Sequence, residues 1–218
     1  MKEQIRQFLI KNADKAKAEF DSKIVRTKLQ VLGIKMAVLD SFARTLAREN
    51  VGLEDFDFIY HEEVILFGMM IGYKECSAQE KIEFLERLFP HFDNWAVVDS
   101  VIPRLRSLKN ERVYFENLLN SNDEFVCRSG IVFLMKFVLP CDLKAVVNLL
   151  KANIKEPYYI KMAISWCYAE AFIKDSDYMK SFIKQIDDKF VRNKSIQKAC
   201  ESFRLTKEQK EEIRALKI

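Results

Sequence analysis

Apolar residues recur at i, i+3, i+4 and i+7 through nearly the whole chain, a spacing that puts one greasy stripe on each of a series of helices. The pattern predicts helices over 2–20, 36–49, 60–74, 78–89, 93–107, 110–120, 123–138, 142–153, 157–173, 176–186, 189–203 and 206–216, joined by short polar breaks. Several carry start signals. Ser77 followed by Glu80, and Thr206 followed by Gln209, have the spacing of a capping box. Asp93, Asp123 and Asp142 are placed to accept free backbone N–H groups at helix starts, and Pro140 and Pro157 mark boundaries. Only 5 Gly and 4 Pro punctuate the 218 residues, too few for the many tight turns of a sheet-rich or phosphate-cradling architecture.

Three segments read as variants of one another: DNWAVVDSVIPRL, DEFVCRSGIVFLMKF and YYIKMAISWCYAEAF, with Arg128 and Met162 at equivalent places 34 residues apart. A hairpin of two helices cannot bury its apolar face alone, so such repeats stack. The expected architecture is all-α, with helical-hairpin repeats stacked in a curved solenoid whose inner helices line a concave groove. The whole of residues 1–218 is expected to form one domain. An irregular helical bundle is the alternative arrangement of the same helices.

Charge adds little to the fold but something to the partner. The net charge is +4, and the whole excess falls after residue 109, where 19 basic side chains face 15 acidic ones. Within that half, Lys189, Arg192, Lys194, Lys198 and Arg204 share their stretch with a single acid, Glu201. Such a run could neutralise phosphates, or be a solvated helix face. The five cysteines are an odd number and lack C-x-x-C spacing, which reads as reduced thiols in a cytoplasmic protein. The first residues, MKEQIRQFLIKNADK, lack the apolar run of a leader, and no segment has the apolar length of a membrane span, so no membrane partner is expected.

Most catalytic signatures are missing. There is no Walker loop, no G-x-G-x-x-G and no G-x-S-x-G; His61-Glu62-Glu63 approaches the zinc motif H-E-x-x-H, but position 65 is Ile. His61 and His91 therefore read as ordinary helix-terminal residues, and neither a metal nor an organic cofactor is implied.

Four residues stand out once the repeat is laid down: Trp95, Asp99, Arg128 and Trp166. Trp95 and Asp99 are i and i+4 on one helix and share a face. The repeat offset would bring Arg128 and Trp166 from the next two hairpins to the same surface. The plainer reading makes the two Trp core residues and gives Asp99 and Arg128 structural pairings. The strings NWAVVDS (94–100), FVCRSGI (125–131) and YIKMAISW (159–166), with VLGIK (31–35) nearer the N-terminus, shift the balance. In order along the chain they resemble the hallmark segments of the bacterial DNA alkylation repair family, the 3-methyladenine DNA glycosylase-like proteins with HEAT-like repeats.

That resemblance implies an active centre made of Trp95, Asp99, Arg128 and Trp166. It implies a DNA glycosylase acting on duplex DNA containing alkylated bases, without base flipping; a monomer is expected. An N3- or N7-alkylated purine carries a positive charge and leaves without help, so only the sugar needs stabilising. A carboxylate at Asp99 would offset the developing oxocarbenium charge and orient water, the indoles of Trp95 and Trp166 would pack on the sugar, and Arg128 would hold a backbone phosphate. Lys189, Arg192, Lys194, Lys198 and Arg204 would add DNA contacts. Two other classes compete with this reading: a non-catalytic relative that binds damaged or branched DNA, and a repeat scaffold for protein partners. The acidic stretch LEDFDFIYHEE (53–63) would repel DNA if it faced the groove.

Overall fold

The computed structural model describes residues 1–49 and 51–218, and the described residues are 71% helical, with 13 α-helices and no strand. The chain divides into two compact units, Met1–Glu111 and Arg112–Ile218. No helix among the described residues is long and apolar enough to cross a membrane.

The first unit holds α1 (Lys2–Lys11), α2 (Lys15–Ile24), α3 (Met36–Leu46), α4 (His61–Tyr73), α5 (Ala78–Leu88) and α6 (Trp95–Val101). Its centre is α4, whose residues from His61 to Ile71 are all buried, as expected of a helix apolar on every side. Helices α3, α5 and α6 pack around it. Gly68 is what lets α6 approach: a Cβ there would lie 2.4 Å from a methyl of Val101. The single helix expected over 2–20 is two. The chain stops where the Asn12 side chain bonds the Phe8 carbonyl, and restarts where the Asp14 carboxylate accepts the Lys17 N–H at 3.0 Å.

The helix expected over 93–107 is also shorter. It runs only from Trp95 to Val101 and gives way to single 3-10 turns at Ile102–Arg104 and Arg106–Leu108, because Pro103 has no N–H to continue the ladder. Its cap differs too. Asn94, not Asp93, receives the first amides, from Ala96 at 2.9 Å and Val97 at 3.2 Å. Asp93 instead accepts from the Thr27 hydroxyl (2.7 Å) and the Lys28 N–H (3.1 Å), tying the segment after α2 to the start of α6.

The second unit follows the sequence pattern closely: α7 (Arg112–Asn117), α8 (Glu124–Phe133), α9 (Leu143–Lys151), α10 (Tyr158–Lys174), α11 (Ser176–Phe182), α12 (Lys189–Glu201) and α13 (Lys207–Arg214). Asp123 and Asp142 cap α8 and α9, and Thr206 makes a capping box, all as expected; Ser77 does the same for α5 in the first unit. Helices α8, α10 and α12 pack in succession, α7 covers α8, α9 and α11 cover α10, and α13 covers α12. Phe115 of α7 stacks on Phe133 of α8 with ring centres 3.6 Å apart, and the Tyr168 hydroxyl of α10 donates to the Val147 carbonyl of α9 at 3.2 Å. Each of the three successive helices carries a buried serine, Ser129, Ser165 and Ser195, whose hydroxyl bonds the carbonyl one turn back. Those small residues let the helices pack closely without leaving a buried hydroxyl unpaired. In α8, the pattern lengthens into a π turn at Leu134–Val138, which fills the remainder of the expected span.

Candidate active site

Asn94 fixes where α6 begins, and that in turn fixes the face on which Trp95 and Asp99 sit. Both are half-buried and line a cavity of about 240 Å³ in the first unit. Its apolar wall comes from Val25, Ile34, Met36 and Ile65, and His61 adds a polar edge. The Trp95 indole N–H points to the Ile24 carbonyl at 3.4 Å, so the ring is steered by the end of α2.

The VLGIK segment builds part of that wall, and its position has a clear cause. The Glu62 carboxylate, 3% exposed, accepts the N–H groups of Leu32 (3.0 Å), Gly33 (2.7 Å) and Ile34 (3.4 Å). Gly33 takes φ +75°, and a Cβ there would lie 2.3 Å from the Ala18 backbone nitrogen, so the turn that presents Ile34 to the cavity requires glycine. Other acids of the 53–63 stretch are likewise occupied within the first unit. Glu63 caps its own helix by accepting from Ile59 and Tyr60, Asp55 accepts from Gly52, and Asp57 pairs with Lys2 and Arg6. Much of the expected acidic face is therefore internal wiring.

His61 sits at the start of α4 and is 4% exposed. Its Nδ1 lies 3.4 Å from Asn94 Nδ2, and Asn94 Nδ2 also donates to Asp93 Oδ1 at 2.6 Å. Burial pushes the imidazole below its ordinary pKa, against the weaker pull of Glu62, Asp93 and Asp21 in the other direction. The ring is neutral at neutral pH. His91, the other histidine, is lowered by burial as well and stacks on Phe58 with ring centres 4.2 Å apart.

Arg128 and Trp166 belong to the second unit. Arg128, on α8, is 5% exposed and donates Nη1 to the Tyr159 carbonyl at 2.7 Å, while Glu124 one turn earlier accepts the Tyr159 N–H. The two together brace the start of α10 against α8. Trp166 is half-buried on α10, and Glu170, four residues on and on the same face, binds Arg204 Nη2 through both oxygens at 2.7 and 2.8 Å.

The basic stretch is thus less open than its sequence suggests: the fold supplies Arg204 with an acid from 34 residues away. Arg192 is also engaged, through Nε to the Leu216 carbonyl (2.9 Å) and Nη1 to that of Lys184 (3.4 Å). Lys189 is exposed, and Lys194 and Lys198 are half-buried on the same helix, with the Lys194 ammonium 6.0 Å from the Phe190 ring centre. Sequence reasoning passed over three residues that shape the Asp99 cavity: His61, Glu62 and Asn94. The His-Glu-Glu run read as a broken zinc motif and as part of an acidic stretch, neither of which points to a cavity wall, and Asn94 was hidden behind Asp93.

Comparison with curated proteins and with solved structures gave no match. Residues 5–203, nearly the whole chain, match the family model described as DNA alkylation repair enzyme, and the chain belongs to that family.

Proposed function

We propose that the protein is a DNA glycosylase that excises N3- and N7-alkylated purines from duplex DNA without flipping the base. The observation that carries this reading is the pairing of Trp95 and Asp99 on one helix face at a cavity, within a chain of the alkylation repair family. Asp99 is assigned to stabilise the oxocarbenium-like sugar and to orient water, and Trp95 to pack on the sugar. By the resemblance, Trp166 supplies the second indole and Arg128 the phosphate contact. Lys189, Lys194 and Lys198 are assigned to DNA. Arg192 and Arg204 are assigned there too, and would have to share or exchange their present partners.

The regular succession of helices within the second unit, with those packed in sequence starting at 124, 158 and 189, supports HEAT-like repeats. We assign the full 1–218 chain to one such repeat domain, acting as a monomer.

The test is release of 3-methyladenine and 7-methylguanine from methylated duplex DNA by wild type and Asp99→Asn, with spontaneous depurination subtracted. Release by wild type alone is the expected result. Equal release by both would remove Asp99 from the chemistry. No release by either, with DNA binding that falls steeply with salt, would favour the non-catalytic DNA-binding alternative.

A further inference from the structure

Of the ionisable side chains lining the Trp95–Asp99 cavity, His61 alone has no task so far. Lys17 and Asp21 pair with each other, Glu62 is committed to the backbone of residues 32–34, and Asp99 has the role assigned above. A buried imidazole on the wall of a reaction cavity needs an account.

The start of α6 dictates its tautomer. Asn94 Oδ1 accepts the N–H groups of Ala96 and Val97, so the other end of that amide must be the NH2 group. One of its hydrogens goes to Asp93 Oδ1, and the other faces His61 Nδ1. Asp93 is itself anchored by Thr27 and Lys28. His61 Nδ1 is therefore an acceptor, and the proton of the neutral ring sits on Nε2. His61 lines the cavity, and Nε2–H is the one donor its neutral ring carries.

A cavity of about 240 Å³ has room for water, and water is retained where two or more polar partners converge. We propose that His61 Nε2–H donates to the nucleophilic water and Asp99 accepts from it, so that the two side chains hold the water for attack on the sugar. The inference rests on the glycosylase reading and adds a residue to it. As the bond from C1′ to the purine nitrogen breaks, its electron pair neutralises the cationic base. The water oxygen then bonds C1′, and its proton passes to Asp99 and on to solvent. His61 keeps its own proton throughout. Protonating the ring places an N–H on Nδ1 opposite the Asn94 NH2, which breaks the network and turns the imidazole. The charged groups around it are Glu62, Asp93, Asp21, Lys17 and Asp99.

The test uses the full chain and a methylated duplex, under single-turnover conditions from about pH 5 to 8, the range over which histidine titrates. Wild type, His61→Gln and His61→Leu are compared for base release, for affinity toward uncleaved DNA and for thermal unfolding. Glutamine can set an amide N–H near the place of Nε2 and cannot titrate; leucine has no donor. Expected are a release rate at least about tenfold lower in the leucine variant at unchanged DNA affinity, and a near wild-type rate in the glutamine variant with the acid limb of its profile moved to lower pH. Should the leucine variant not fold, the glutamine profile decides alone. Wild-type release matched by the leucine variant, or a glutamine profile with the wild-type acid limb, would overturn the role of His61 and leave the glycosylase reading standing. No release by wild type would overturn both.

Discussion

Replacing Glu62 with Gln tests whether one buried carboxylate sets the cavity wall. The side chain is 3% exposed and holds the turn at residues 32–34 through its contacts to Leu32 (3.0 Å), Gly33 (2.7 Å) and Ile34 (3.4 Å). The last is long and adds little. The other two are hydrogen bonds to a charged acceptor, each contributing about 1.5–3 kcal/mol, and a neutral amide would retain about half of that. Glutamine also turns an NH2 group toward an N–H that the second oxygen formerly accepted. The loss is therefore about 2–3 kcal/mol, and at about 2–4 °C per kcal/mol for a chain of this length, Tm falls by about 4–12 °C. Thermal unfolding followed by far-UV circular dichroism measures the shift, and hydrogen exchange locates it, since the Leu32 and Gly33 amides should lose protection first. Because Ile34 and Met36 follow this turn into the cavity, base release should slow although Asp99 is untouched. A Tm within about 2 °C of wild type, with both amides still protected, would refute the account.

Gly33→Ala should lower stability by about 1–3 kcal/mol in denaturant titration, since φ +75° and the 2.3 Å approach to Ala18 leave no room for a methyl. Asp40 gives a pH signature. Burial raises its pKa, but bonds from Tyr73 (2.6 Å), Arg104 (2.6 Å) and Arg44 (3.1 Å) outweigh that and hold it below the ordinary value. Its stabilisation should be complete above the unfolded pKa of about 3.9 and lost as pH falls through the lower folded value, so Asp40→Asn should flatten that part of the stability profile. Arg128→Ala should weaken DNA binding in a filter or anisotropy assay. It should also cost about 1–3 kcal/mol of stability, because the buried Tyr159 contact goes with it.

The second unit was largely legible in the sequence. Its helices α8, α9 and α13 are amphipathic, its caps are Asp and Thr at the expected offsets, and Arg128 and Met162 occupy the fifth position of α8 and α10. The first unit was less so, for reasons that lie in single residues. Helix α2 buries none of its side chains among those described, so apolar spacing says little about where it starts and stops. The α1–α2 break depends on Asn12 and Asp14 bonding nearby backbone, a competition that hydrophobic periodicity does not register. Pro103 is the signal for the end of α6 that the sequence does carry, and a span drawn on apolar spacing alone runs through it.

The candidate site shows the same division. Trp95 and Asp99 were readable because i and i+4 is a rule of one helix. The partners of His61, Glu62 and Arg204 lie 28 to 34 residues away in the chain, and no local rule reaches that far. Yet the tautomer of His61 follows from a local fact once the contact is known: Asn94 caps α6, so its amide has one allowed orientation, and the ring opposite must accept. A helix cap thereby sets the chemistry of a side chain on another helix. An Asp at the start of the Trp95 helix, an equally good cap, would instead place a carboxylate against His61 Nδ1 and favour the charged ring over the neutral donor.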